Sequence, residues 1–274
     1  MNKPLAIITV VYKNYEILTD FFSSLQKQTD QSFHIFLSDL TDTGRKDIPP
    51  RENLSIITAD NNGYAHGVNM GIQVARENGY KQFAVVNSDI VFDTNFVQNT
   101  RQSLQSHPKS LTGGKIYYAK GYEYHDHSYK KSELGHVFWY AGGDVDWNHA
   151  LTHHRGVDEV DTGQYSNLEK TDFITGCLMA FDERAFDAIG FWDESYFMYY
   201  EDADYCERAK KAGVSLYYDP SIMIWHKNAQ SSDGSGSAFH VRYQRRNRLR
   251  WGLKYAPWRT KVHLVKNFIF GSGM

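Results

Sequence analysis

Three short stretches hold side chains able to do chemistry together. Val85-Val86-Asn87-Ser88-Asp89 is an apolar run that ends in oxygen-bearing side chains. A carboxylate at such a strand end suits a hard divalent cation, Mg2+ or Mn2+, which takes carboxylate and phosphate oxygens together. The other reading is a plain strand end with a turn or helix cap. Tyr199-Tyr200-Glu201-Asp202-Ala203-Asp204 gathers three acids at a helix start, after the aromatic-acidic run Phe191-Trp192-Asp193-Glu194-Ser195-Tyr196-Phe197. Acids there complement the helix dipole. Carboxylates beside bulky aromatics are also poorly solvated, which raises their pKa and suits a general base. Trp225-His226 closes a β-rich run, and its imidazole is either structural or a metal ligand that joins Asp89 if the strand ends converge. His125, His127, His136, His149, His153 and His154 fall on irregular polar segments without helical pairing, and are expected to face solvent or an acceptor loop.

Positioning these groups requires a sheet. Residues 5–12 are a continuous apolar, β-branched run, the pattern of a strand buried on both faces. Residues 16–28 place Ile17, Phe21, Phe22 and Leu25 on one helical face. Strands are expected at 33–37, 54–58 and 83–87, with helices at 64–78 (ending before Gly79) and 95–106. Repeated β-α-β units imply an α/β fold with a mostly parallel sheet. Ligands then sit beyond the carboxyl ends of the strands, where Tyr12, Asp39 and Asn87-Ser88-Asp89 fall. Residues 111–170, rich in Gly, His, Tyr and Asp, lose the rhythm and read as loops with short strands. Order returns with a strand at 173–181, helices at 183–188 and 202–212, and short strands at 216–218 and 222–225. A Ser/Gly-rich linker at 230–237 and two basic helical segments close the chain.

Composition narrows the classes. Cys177 and Cys206 are the only cysteines, which excludes a disulfide framework and points to a reducing compartment, the cytoplasm. The N-terminal apolar run is too short for a signal peptide, and nothing approaches the ~20 apolar residues of a membrane span. Net charge is −2, yet residues 239–274 carry nine basic side chains and no acid, leaving −11 on the remainder. A basic, aromatic tail on an acidic body points to an anionic surface or ligand met by the C-terminus.

Taken together the segments resemble the inverting family-2 glycosyltransferases with the GT-A fold. The matching elements are Thr9-Val10-Val11-Tyr12, Asp39, the Asn62-Gly63-Tyr64 to Gly71-Ile72 stretch, Asn87-Ser88-Asp89 at the D-x-D position, Thr175-Gly176-Cys177, Phe191 to Glu194, and Tyr200 to Asp204 with Arg208. They run in family order over about residues 4–230, and look most like the rhamnosyltransferase-like branch that builds bacterial surface polysaccharides. The resemblance implies a Rossmann-like GT-A catalytic domain over 1–230, with a nucleotide-binding half (1–110) and an acceptor/catalytic half (111–230). A basic helical extension follows over 231–274. It implies that Thr9, Val11, Tyr12, Asp39, Asn62, Gly63, Asn69, Asn87 and Ser88 bind the donor, with Asp39 on the nucleobase and Tyr12 and Asn69 near base and ribose. Asp89 and His226 would hold Mn2+ or Mg2+, Asp202 would be the base with Glu201 beside it, and Gly176, Cys177, Trp192 and Asp193 would line the acceptor side. Two positions depart: Asn87 replaces the first carboxylate of D-x-D, and Leu40 follows Asp39 where the family often has Asn.

The expected reaction is therefore metal-dependent transfer of rhamnose or another hexose from a dTDP- or UDP-linked donor to a glycan or lipid-linked glycan hydroxyl. Two rivals remain at this level. A metal-dependent nucleotidyltransferase would share the sheet and the metal carboxylate, but would want a phosphate-cradling loop richer than Lys13. A nucleic-acid-binding protein would act through the basic tail, against which the acidic body argues, so no nucleic acid is expected as partner. In the last helical segment Trp258, Val262, Val265 and Ile269 share one face with Arg259, Lys261 and Lys266 off it. That face suits an anionic membrane surface on the inner side of the cell membrane, the catalytic domain itself, or a second copy in a homodimer.

Overall fold

The computed structural model describes residues 3–227 and 238–270, so the linker expected at 230–237 lies outside the described residues. The chain runs β1 (Leu5–Val11), α1 (Leu18–Gln26), β2 (Phe33–Asp39), β3 (Leu54–Thr58), α2 (Tyr64–Glu77), β4 (Gln82–Val86), β5 (Ile90–Phe92) and α3 (Phe96–Ser106). It continues β6 (Ser110–Tyr118), β7 (Phe138–Tyr140), β8 (Gly143–Asp146), β9 (Leu151–His154), β10 (Glu169–Lys170), β11 (Leu178–Asp182) and α4 (Glu183–Ile189). It closes with α5 (Glu201–Lys211), β12 (Ser215–His226), α6 (Ala238–Tyr255) and α7 (Trp258–Phe270).

Every residue of β1 is buried, and successive side chains point to opposite faces. Ala6, Ile8 and Val10 join the core under α2, with Val68 and Ile72. Leu5, Ile7 and Val11 join the core under α1, with Phe21 and Leu25. The central sheet has the order β10-β12-β6-β11-β4-β1-β2-β3. The run β3-β2-β1-β4 is parallel, β11 pairs antiparallel with both β4 and β6, and β6 pairs parallel with β12. Two reversals at β11 leave β6 and β12 pointing the same way as β4. The carboxyl ends of β1, β2, β4 and β12 therefore share one sheet edge with the amino end of β11.

Three expectations change. Residues 111–170 are loops with short strands, as expected, except that β6 is an inner strand of nine residues. Its Gly113 and Gly114 misled the reading, because they mark close approach rather than a turn. A Cβ on Gly114 would lie 2.3 Å from the Ile222 carbonyl oxygen, where β12 bulges between Asp219 and Met223. That bulge also merges the two short strands expected at 216–218 and 222–225 into β12. The strand expected at 173–181 begins only at Leu178, and the preceding segment is an irregular turn.

α6 and α7 share the core of the sheet. Trp251 is fully buried, its ring stacked on Trp147 at 4.8 Å between centroids. Among the described residues no helix is long and apolar enough to cross a membrane.

Candidate active site

A cavity of about 520 Å3 opens at this shared sheet edge. Tyr12 follows β1, Asn87 and Ser88 follow β4, Gly176 and Cys177 precede β11, Glu201 and Asp202 start α5, and His226 ends β12; all line it. The convergence that sequence could not show comes from β5, which pairs antiparallel with β12 and sets Ile90 opposite His226. Asp89, one residue earlier and fully buried, then faces the imidazole, with its Oδ1 3.2 Å from His226 Nε2. The Lys227 amide donates to the Asp89 carbonyl at 2.8 Å and fixes this register.

A divalent cation fits this pair. Neither ring nitrogen of His226 makes a hydrogen bond among the described residues, although both are buried. Asp89 Oδ1 and His226 Nε2, 3.2 Å apart, would be near enough to hold one hard divalent ion between them, leaving it open to phosphate oxygens. Among the described residues there is no set of three or more His, Cys, Asp or Glu side chains able to hold a metal, so Asp89 and His226 would stand as a two-ligand pair.

The carboxylate pair is unequal. Burial, then the charge of Asp202, pushes the Glu201 carboxyl well above the usual range. Burial also raises Asp202, but the backbone amides of Gly176 and Ala203 donate to its two oxygens at 2.9 and 2.8 Å and oppose the rise. Environments that separate two neighbouring carboxyls in this way assign the proton to one and leave the other ionised. Of the two, Glu201 is the one held further toward its protonated form. A Cβ at Gly176 would stand 3.4 Å from both Asp202 and the Trp192 ring, an ordinary contact distance, so the turn lies directly against both. Burial, then the charges of Asp89 and Asp202, raises the Cys177 thiol well above its usual value, which keeps it unreactive between the two acidic centres.

Several residues drawn from the resemblance fall elsewhere. Thr9 and Val11 are buried in the sheet, and it is Val10 that reaches the cavity. Asn62 is exposed, while its neighbour Asn61 lines the wall. Gly63 lies behind the wall, where a Cβ would stand 2.3 Å from the Phe197 carbonyl oxygen. Asn69 is bonded within the protein: its amide donates to the Trp192 carbonyl and Glu194 at 2.9 and 2.8 Å and accepts from the Trp192 amide at 2.9 Å. Asp39 is buried, its carboxylate taking the Tyr15 hydroxyl at 2.8 Å, the Thr41 amide at 2.9 Å and Arg45 at 3.3 Å. Its neighbour Leu40 lines the cavity. Trp192 is buried against Tyr205, and Asp193 is tied to Ser195 and Lys254, and neither lines the cavity. The Asn62 to Ile72 stretch works instead through α2: added carbons at Gly67 and Gly71 would collide with Val10 and Ile8, so the helix seats tightly on β1 and anchors the 192–197 segment.

Other wall residues carry no role of their own in the sequence pattern. Tyr64 donates its hydroxyl to the Gly176 carbonyl at 3.1 Å. Trp139 packs its ring edge-on against both His226 and His154, at 4.5 and 4.4 Å. Of the two settings expected for His154, solvent or an acceptor loop, it is not turned to solvent; burial lowers its pKa to about 4, so the ring is neutral. Met198, Tyr199 and Tyr200 form a turn in which both tyrosines are left-handed, at φ 70° and 71°. Asn247 of α6 holds that turn, donating to the Met198 and Tyr199 carbonyls at 2.8 and 3.0 Å. The aromatics of 138–140 and the double Tyr at 199–200 were the visible signals; a single Asn in a basic helix was none.

Comparison with known proteins agrees with this architecture. The family described as Glycosyl transferase family 2 matches residues 6–190, more than half of the chain. The low-salt glycan biosynthesis hexosyltransferase Agl10 of Haloferax volcanii is 22% identical over 250 residues, covering 90% of this chain and 75% of the relative. An N-acetylglucosaminyl-diphospho-decaprenol L-rhamnosyltransferase of Mycobacterium tuberculosis is 38% identical over 69 residues, 25% of this chain and 22% of that one. Among solved structures, GalNAc-T7 with UDP, GalNAc and Mn2+ superposes with a TM-score of 0.63 at 13% identity, over 88% of this chain and 48% of that one. The fold is of the GT-A type.

Proposed function

The chain belongs to glycosyl transferase family 2 and is a glycosyltransferase, and from that premise we propose a metal-dependent, inverting transfer of a hexosyl group to a glycan hydroxyl. The donor in this reading is a dTDP- or UDP-linked hexose, rhamnose among the candidates, and the acceptor is a lipid-linked or free glycan of a bacterial surface polysaccharide. The observation that carries it is the cavity edge shared by the Glu201–Asp202 pair, Asn87-Ser88 and His226, with Asp89 buried against the His226 ring. The M. tuberculosis relative, named for a rhamnosyl transfer to a diphospho-lipid sugar, and the UDP and Mn2+ of GalNAc-T7 support donor, acceptor and metal class. Two free, buried cysteines support a cytoplasmic site for the reaction.

Asp202 takes the proton of the acceptor hydroxyl while that oxygen bonds to the anomeric carbon. The bond from that carbon to the diphosphate oxygen breaks, and its electron pair leaves with the nucleoside diphosphate. One displacement inverts the anomeric configuration. The Gly176 and Ala203 amides keep Asp202 oriented and ionised, and Glu201 keeps its proton. Asn87 and Ser88 offer neutral hydrogen-bonding groups to donor oxygens. Asp89 and His226 would hold a divalent cation, which when bound supplies charge neutralisation to the leaving diphosphate. Tyr12, 38% exposed at the mouth, offers a ring face to the base.

The test is a thermal-shift panel of nucleoside diphosphates and nucleotide sugars, each with and without Mn2+. Stabilisation by a dTDP or UDP sugar that grows with Mn2+ is expected. No stabilisation by any nucleotide sugar under either condition would contradict the reading.

A further inference from the structure

Helix α7 presents two opposite faces. Inward, Leu264 is buried and the Thr260 hydroxyl donates to the Trp147 carbonyl at 2.8 Å. The approach to α6 is close, since a Cβ on Gly252 would lie 2.2 Å from Leu264 Cδ1. Outward, Trp258, Val262 and Ile269 are 70%, 60% and 64% exposed, with Val265 exposed among them. At about 100° per residue these four fall within roughly 60° of one another, on the side away from the protein. The catalytic domain is thereby excluded as the partner of this face. Arg259 and Lys266 flank the apolar stripe on one side and Lys261 on the other. No acidic residue occurs anywhere in 239–274, where nine basic ones do.

We propose that the outward face of α7 docks on an anionic lipid surface, with Trp258, Val262, Val265 and Ile269 in the headgroup–acyl boundary and the flanking cations on lipid phosphates. Charge decides between occupants. A two-fold dimer through this face would set Arg259, Lys261 and Lys266 near the same residues of a second copy, with no carboxylate in either helix to offset them. Anionic headgroups supply the missing charge. At 13 residues α7 is about 20 Å long, too short to span the ~30 Å hydrocarbon core, so it lies along the interface. The tryptophan at its start is the side chain best suited to that boundary. α6, packed against α7, contributes Gln244 to the cavity wall, so docking holds the cavity beside the bilayer. The inference goes beyond the proposed reaction and does not depend on it, although a lipid-linked acceptor would be met there.

The experiment is flotation of the full chain with phosphatidylcholine vesicles, and with the same vesicles containing about one-third phosphatidylglycerol. Two variants accompany it, Trp258→Ser/Val262→Ser/Ile269→Ser and Lys261→Glu/Lys266→Glu, whose melting temperatures should match the parent because all five side chains are surface groups. Flotation is expected with anionic vesicles only, reduced more than about tenfold in each variant and weakened by salt. Equal binding to neutral vesicles, no binding to either, or unchanged binding by the variants would overturn the proposal. So would a concentration-dependent dimer that the triple serine variant converts to monomer, which would give the face to a second copy.

Discussion

Replacing Asn247 by alanine removes one side chain from α6, outside the matched family region, yet it should disable the reaction. Asn247 is 1% exposed and its amide donates to the carbonyls of Met198 and Tyr199. The next two residues toward the catalytic pair, Tyr199 and Tyr200, are left-handed, a conformation that costs a non-glycine residue about 1–2 kcal/mol. The turn therefore stores roughly 2–4 kcal/mol that neighbouring bonds must hold. Two buried hydrogen bonds contribute about 1 kcal/mol each, and loss of the donor strands two carbonyls as well. Urea unfolding should show a loss of about 2–4 kcal/mol with an unchanged m-value. Because Tyr200 caps α5, relaxation of the turn moves Glu201 and Asp202. A displacement near 1 Å should lower kcat by about 10²-fold while donor affinity holds. Asn247→Asp, isosteric but without the amide donor, should be at least as damaging. A stability loss under about 0.5 kcal/mol together with kcat within about twofold of the parent would refute the coupling of α6 to the site.

Three further outcomes follow from the same geometry. The base works ionised and both carboxyls are raised by burial, so the acid limb of kcat should fall at a pH above the usual carboxylate range of about 4. Between the ordinary and the raised values the folded state holds more protons than the unfolded one, so stability should decline as pH rises there, and the Glu201→Gln/Asp202→Asn double variant should flatten that slope in urea titrations. Asp89→Ala and His226→Ala should each abolish the Mn2+-linked part of nucleoside diphosphate stabilisation, which at 100 times Kd is about 2.7 kcal/mol; a retained shift would remove these residues from the metal site. Gly63→Ala places a carbon 2.3 Å from the Phe197 carbonyl oxygen at φ +101°, and should lower the melting temperature by several degrees, a loss of about 2 kcal/mol or more, as read by calorimetry.

The parallel half of the sheet was legible because its signals are local. The buried run of β1 and the helical spacing of Val68, Ile72 and Ala75 in α2 each state an element and its inner face. The carboxylates at 89, 201 and 202 were legible as types at element ends. What remained closed depends on pairing across the chain. The β5–β12 register that brings Asp89 to His226, and the bulge that needs Gly114, join residues more than a hundred positions apart. Motif matching also named residues whose work is mechanical. Asn69 and Gly63 seat the 192–197 segment on α2, and Trp192 packs beneath the turn at Gly176, so their types are demanded by packing that supports the site. The Trp139–His154 wall was hidden because β7, which carries Trp139, and the β8–β9 hairpin have too few residues for any periodicity to declare itself.

The central claim is that Asp202, beside a protonated Glu201, is the base of sugar transfer. Its most direct test compares Asp202→Asn with Glu201→Gln in transfer assays, with donor affinity measured in parallel by calorimetry. Asparagine keeps an oxygen for the Gly176 amide but loses basicity, so kcat should fall by about 10²–10⁴-fold with donor Kd within about twofold. Glu201→Gln, which replaces a group already neutral, should retain far more activity. An inactive Glu201→Gln beside a working Asp202→Asn would contradict the assignment, and near-parent turnover in both would contradict base catalysis at this site.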